Sequence, residues 1–514
     1  MSTRSERVLT TVVVIVFLLM VTLPYLYAAN VASDKYIFGG FLLNPIDGNS
    51  YLAKMYEGWR GNWRFTLPYT AEDSSGGYLF LLYLALGHIA RLIGGSRILL
   101  FHLARIVASL VMFASLNRFL RYTIDDKQVR LTAFSIAVLG GGLGWIALMF
   151  GVFTSDFWVA EAYPFLSAYA NPHFPFGLAL LLYVFTFNQG KIQEIREVWW
   201  KILLAAFLLG LVMPFGVVLA LLVLLAVVAW ELYPRFDKFK NSTNLWRAFW
   251  VFLGGVPVLF YDLWVIHQDR LLSVWNAQNN TPSPPLIDLL LSLSPVLILA
   301  IIAVPWVIRS KSNNIRLLLV WSLIGLILLY IPWGLQRRFM MGIYIPLSTL
   351  AAFGLGKIAK SARVYSLLSV ILIMFIIPTN IIVLLASLQG AAKHDKQLYL
   401  TKAELQAYQW IEANTTPDAL ILAAPENGLL IPGFTGRRVF YGHPFETPNS
   451  EYELNRVTSF FQGDIDQTSV LLRQADYLYI GPRERELGWR SFPVELLVVY
   501  ENPDVTIYGV NLRP

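Results

Sequence analysis

Between the first two strongly apolar runs of the chain lies the stretch NPIDGNSYLAKMYEGWRGNWRFTLPY, which mixes acids, phenols, indoles and bases. A helix starting near Asp47 puts Tyr51, Lys54 and Met55 on one face, because residues three and four apart are neighbours on a helix surface. An acid in the first turn then points into the same space as a phenol and an ammonium, and a carboxylate so placed can accept a proton. The structural alternative is that Asp47 is an N-cap and that the Trp and Tyr residues form an interfacial belt.

Three more clusters carry groups of this kind. SDFWVAEAYPFLSAYANPHFPF holds Asp156, Glu161, Asn171 and His173 immediately before an apolar run, where ionisable residues are functional candidates by default. His102 and Arg105 share a helical face, and Arg337 and Arg338 are adjacent just ahead of a late apolar run. Arginine forks suit phosphate oxygens, so these four residues are candidates for holding a phosphate; anchoring to anionic headgroups is the alternative. HQDRLLSVWNAQNNTPSPP offers Arg270 and Trp275 for substrate contact, but no spacing in it makes a metal or triad signature.

The elements that position these residues are mostly membrane helices. The 514 residues are 56% hydrophobic and 14% charged, with a mean hydropathy of +0.56. That excludes a purely soluble enzyme. Cys is absent, which rules out disulfides, thiolate metal sites and a cysteine nucleophile. A formal charge of +7 is read as basic cytoplasmic loops, not as a nucleic-acid surface. The first run, Val8 to Ala29, follows Arg4 and Arg7 and exceeds a signal-peptide core, so it reads as a retained span with its N-terminus inside.

Positive charge sets the remaining topology. If the run from Leu79 to Ile93 crosses, two basic loops fall outside: that of Arg118, Arg121, Lys127 and Arg130, and that of Lys191 and Arg196. If it lies in the outer interface, and Trp199 to Leu232 is a hairpin folded at Met213-Pro214, both loops move inside. There they join Arg235, Lys238 and Lys240, then Arg309, Lys311 and Arg316, then Lys357, Lys360 and Arg363. This predicts about eleven spans, the C-terminus outside, and external loops at 30–96, 153–171 and 267–285.

Residues 393–514 lose the long apolar runs and read as a separate external α/β domain behind a membrane domain of residues 1–392. Its pattern is a helix at KAELQAYQWIEAN, a strand at ALILAAP, a Gly- and Pro-rich loop, a helix, then strands at YLYIG, LLVVY and VTIYGV. The loop concentrates Glu426, Arg437, Arg438, His443 and Glu446, yet shows no nucleophile with base and orienter, and it reads as a packing loop.

Pro45-x-Asp47, Tyr51, Glu57, Gly61-Asn62-Trp63 and Pro68 resemble the first external loop of GT-C membrane glycosyltransferases. The likeness is to the branch with aminoarabinose transferases and protein O-mannosyltransferases. The resemblance implies a general base at Asp47, deprotonating an acceptor hydroxyl that attacks the anomeric carbon of a polyprenyl-phosphate sugar. It further implies that Asp156 or Glu161 assists the base, binds acceptor or holds a divalent ion, although the family's tighter D-x-E spacing is missing. RRFMMGIYIPL resembles the family's late span tied to donor phosphate. The expected protein is thus an inner-membrane glycosyltransferase of the cell envelope with a lipid, glycan or protein acceptor. A lipid or polysaccharide transporter and a noncatalytic envelope sensor or assembly protein are the alternatives; no matching halves or paired interrupted helices favour transport.

Overall fold

The computed structural model describes residues 2–186, 192–233, 242–310, 312–489 and 496–510, and within these leaves out the side chains of 192–198 and 465–469. Of the cations used above to orient the chain, Lys191, Arg235, Lys238, Lys240 and Lys311 lie outside the described residues, as does the side chain of Arg196.

Seven helical segments are long and apolar enough to cross a bilayer: Thr3–Asn30, Arg97–Thr123, Lys127–Met149, Pro214–Leu232, Thr243–Gln268, Gln336–Ile358 and Ala362–Ala392. An eighth span results if Leu286–Leu293 and Val296–Arg309, bent by 82°, are counted together. The other three runs expected to cross form the shorter helices His173–Thr186, Trp199–Val212 and Asn313–Leu328. Asn313–Leu328 has 16 residues, about 24 Å against a hydrocarbon core of about 30 Å, whereas Trp199–Val212 is the apolar part of a 21-residue helix, Ile192–Val212. Against the expected count of about eleven, seven or eight segments among the described residues are thus long and apolar enough to span, and the chain is a multi-pass membrane protein. The 199–232 run does break at Met213, with Pro214 in the first turn of the next helix, where a missing N–H costs nothing.

The chain divides into two compact units. The first comprises Met1–Pro24, His102–Phe260 and Thr281–Gln389. It is helical, and its core includes Trp321, fully buried with edge contacts to Phe119 and Phe185. The second comprises Tyr25–Phe101, Tyr261–Asn280 and Gly390–Pro514, and carries all the strands.

Those strands are β1 (Tyr36–Phe38), β2 (Tyr399–Thr401), β3 (Leu420–Leu422), β4 (Arg438–Val439), β5 (Tyr477–Ile480), β6 (Leu497–Glu501) and β7 (Thr506–Gly509). β1 pairs antiparallel with β2, and the others form one sheet in the order β4-β3-β5-β7-β6. Its β4-β3-β5 half is parallel and its β5-β7-β6 half antiparallel. Side chains alternate between faces as the pleat demands. Ile421, Tyr479 and Ile507 pack against Tyr408 and Ile411, while Leu422, Leu478 and Ile480 pack against Val457, Phe460 and Leu471. The stretch read as a Gly- and Pro-rich loop is in part helix, Pro425–Thr435. Pro425 falls in its first turn and Gly436 ends it at φ 68°, positions that favour those two residues.

One helix of the second unit, Pro45–Arg60, carries the candidate acid. It starts earlier than the sequence suggested: Asn44 caps it in the left-handed region, Pro45 follows, and Asp47 lies in the first turn instead of at the cap. It packs against the 13-residue helix Leu81–Ile93. That helix is about 20 Å long, too short to span. Two glycines allow the contact, since a Cβ on Gly58 would sit 2.0 Å from the Leu84 carbonyl oxygen and one on Gly87 would sit 2.0 Å from that of Met55. The Pro45–Arg60 helix also packs against Pro425–Thr435.

Candidate active site

Asp47 keeps about a third of its side chain exposed, 35%. The Asn44 side-chain amide donates to its Oδ2 at 2.6 Å, and His443 Nε2 lies 3.3 Å from its Oδ1. His443 is 2% exposed, and its Nδ1 accepts from the backbone N–H groups of Phe445 and Glu446, each at 3.1 Å. The segment after it is fixed by an ion pair. Lys54 Nζ is 2.7 and 3.0 Å from the two Glu446 oxygens, with Ser50 Oγ donating to Glu446 Oε1. Burial alone would push the Glu446 carboxyl up; the Lys54 ammonium and the hydrogen bonds from Lys54 and Ser50, with the neighbouring His443, together hold it below its ordinary value.

Tyr51 stacks on Tyr83 with ring centroids 4.1 Å apart, and Lys54 Nζ lies 5.1 Å from the Tyr51 ring centre. The expected common face for Tyr51 and Lys54 is thus observed, but the Lys54 ammonium is committed to Glu446. A cavity of about 240 Å³ opens beside this first turn, lined by Pro45, Asn49, Leu430, Tyr441 and Pro444 among others. The Asn49 side-chain oxygen is buried there without a hydrogen-bond partner.

Also in this unit, Asp269 caps the helix Arg270–Gln278 with one carboxylate oxygen. Its other oxygen gathers Ser74, Ser75 and the Gly76 N–H at 2.8–3.2 Å. Although burial works the other way, these bonds hold its carboxyl down at about 2. Arg270 is exposed and paired with Glu72. Trp275 is partly buried, its ring edge-on to Phe80 at 6.1 Å.

In the first unit, Glu161 is 3% exposed, with Arg338 Nη1 at 3.5 Å and Arg337 Nε at 3.7 Å from its Oε1. Two clusters that the sequence presented separately are therefore one. The Arg337 guanidinium also lies 4.7 Å from the Trp158 ring centre, and 21% of its side chain and 28% of that of Arg338 remain exposed. Asp156 is fully buried and takes part in no such cluster. Its oxygens accept from Thr154 Oγ1 at 2.6 Å and from the N–H groups of Gly142 and Gly144 at 2.9 and 3.1 Å. It organises the loop.

Arg105 is 1% exposed. Its Nη1 donates to the carbonyls of Ala168 and Val21 at 2.7 and 3.2 Å, and its Nε is 3.4 Å from His102 Nδ1. That geometry pins backbone segments together. His173 starts its helix and packs on Phe174 at 4.0 Å. Asp288, which sequence reading passed over inside LIDLLLSL, accepts from the Ser155 N–H and Oγ at 2.8 and 2.9 Å.

Among the described residues no group of three or more His, Asp or Glu side chains is arranged to hold a metal ion.

No protein-family model and no curated protein matches this chain. Solved structures do. The aminoarabinose transferase ArnT from Cupriavidus metallidurans, bound to undecaprenyl phosphate, superposes with a TM-score of 0.53 at 12% identity, over 97% of this chain and 98% of that one. The Archaeoglobus fulgidus oligosaccharyltransferase in its apo form gives 0.57 at 11% identity, over 93% of this chain and 70% of that one. The same organism's oligosaccharyltransferase AglB, with an inhibitory peptide and a dolichol-phosphate, gives 0.50 at 11% identity, over 90% and 69%. The fold of the chain is thus the GT-C fold, a polytopic helical membrane protein with a soluble α/β part, as the motifs around Asp47 implied.

Proposed function

We propose that the chain is a GT-C-type glycosyltransferase that uses a polyprenyl-phosphate sugar, with Asp47 as its base. The observation that carries this reading is a partly exposed carboxylate, held at both oxygens by Asn44 and His443, in the first turn of the helix after the first span. The likeness of the whole chain to ArnT bound to undecaprenyl phosphate supports it.

In the reaction Asp47 takes the proton of an acceptor hydroxyl, and the oxygen forms a bond to the anomeric carbon. The bond from that carbon to the phosphate oxygen breaks, and the polyprenyl phosphate leaves with the electron pair. Arg337 and Arg338, pre-set by Glu161, are proposed on the evidence of the first unit alone to bind the anionic donor. Localisation in an inner membrane with the soluble part outside belongs to the same reading, as does an envelope lipid, glycan or protein acceptor.

Purified protein reconstituted with polyprenyl-phosphate sugars and an envelope lipid or glycan extract tests it, with transfer followed by mass spectrometry. Asp47→Asn is expected to lose about 10²- to 10⁴-fold in rate with its fold intact. Arg337→Ala with Arg338→Ala is expected to weaken donor binding about tenfold or more. Undiminished transfer by a folded Asp47→Asn variant eliminates the base assignment.

A further inference from the structure

We infer that His443 is a positioning residue for Asp47, a neutral imidazole that donates from Nε2 and fixes the orientation of the base. The inference rests on the reading of Asp47 above.

The tautomer follows from hydrogen-bond bookkeeping. Two backbone N–H groups, those of Phe445 and Glu446, point at Nδ1 from 3.1 Å. A nitrogen that accepts from an N–H carries no proton, so in the neutral ring the proton is on Nε2. Nε2 faces Asp47 Oδ1 at 3.3 Å, and a carboxylate is an acceptor only. Donation runs from imidazole to carboxylate, and the backbone that sets the tautomer belongs to the same turn as the ring.

The ring has little freedom to do anything else. Its side chain is 3% exposed, and it lies tilted against Tyr69 and Phe445 at 5.9 and 6.1 Å. Thr447 Oγ1 accepts from the His443 N–H at 3.3 Å, and Glu446, next but two in the chain, is tied to Lys54 and Ser50 on the helix that carries Asp47. The turn and the helix are thereby linked twice, once by a charged pair and once by the imidazole. The charged and titratable groups facing this contact are Lys54 and Asp47 from the helix, Glu446 from the turn and Tyr69 from the loop that follows the helix. With Asn44 on Oδ2, the imidazole on Oδ1 fixes the plane of the carboxylate, which is what a base needs to meet an incoming hydroxyl at hydrogen-bond distance.

Two readouts test this on the full-length protein. Nitrogen-15 NMR of histidine-labelled protein is expected to show, for the resonances lost in His443→Gln, an unprotonated Nδ1 and a protonated Nε2; Asp47→Asn is expected to shift that Nε2 signal. A protonated Nδ1, or an Nε2 signal indifferent to Asp47→Asn, overturns the inference whether or not a substrate is known. In the transfer assay, His443→Phe is expected to lower kcat about tenfold to a hundredfold with KM changed less than about twofold, the scale seen for groups that orient a reacting residue. The acidic limb of its rate profile should move to higher pH, because the carboxylate loses a donor that favours its charged form. His443→Gln, whose amide nitrogen reaches the same place, is expected to restore most of both. Unchanged kcat and pH profile in a folded His443→Phe variant overturns the inference. Full transfer by Asp47→Asn, beside an NMR result as expected, instead sinks the base assignment and leaves the pair standing.

Discussion

Asp269 shows how one carboxylate substitutes for a whole loop's missing regular structure. It caps a helix with one oxygen and collects Ser74, Ser75 and Gly76 with the other, so removing its charge weakens its hold on both elements. Its folded value of about 2 is below the ordinary one. The stabilisation is therefore complete above pH ~4 and is lost as the pH falls towards 2. Asp269→Asn keeps the cap but not the charge, and is expected to lower stability at neutral pH by about 1–2 kcal/mol. Wild type and variant should converge in thermal unfolding near pH 2; a gap that persists there refutes this account. At the same scale, Asp47 was legible in the sequence because its neighbours are local. His443 was visible as a residue but not as a partner, since 396 positions separate it from Asp47 and no periodicity links them. The pairing of Glu161 with Arg337 and Arg338 was hidden for the same reason.

Packing of the helix that carries Asp47 depends on two positions that tolerate no side chain. The Cβ clashes at Gly58 and Gly87 are with backbone oxygens, which cannot rotate away. Gly87→Leu is expected to cost about 3 kcal/mol or more and to lower the melting temperature in detergent well beyond Leu86→Ala on the same helix. Equal effects of the two would show that the helices are not held at this separation. The long apolar helices were readable from composition, and the break at Pro214 from the chemistry of proline. What composition did not reveal was length: runs such as Asn313–Leu328 are apolar enough to look like spans yet end after 16 residues. The helix Pro425–Thr435 was missed because its Gly and Pro residues suggest a turn, while two of them stand at helix ends where they are favoured.

The second compact unit is assembled from three distant stretches of chain. Residues 390–514 supply β2 to β1 and Glu446 to Lys54, besides their own sheet. A chain ending at Gln389 keeps Lys54 but loses its counterion, and a buried charge without a partner costs about 3–5 kcal/mol. Such a truncation is expected to give an aggregated, poorly expressed protein by size-exclusion chromatography, and a monodisperse one would refute it. The GT-C fold itself was foreseen from one loop motif and a late arginine pair. The composition of the second unit was not, because sequence division follows hydropathy whereas packing joins loops to the terminal region.

The link between Asp47 and His443 also has a timing. At about 5–20 residues per second, synthesis takes roughly 20–80 s to travel from the acid to the imidazole that orients it. Throughout that interval Lys54 awaits the Glu446 carboxylate and Asp47 lacks its imidazole partner. Until residue 443 is made, the Asp47 carboxylate has no imidazole on its Oδ1.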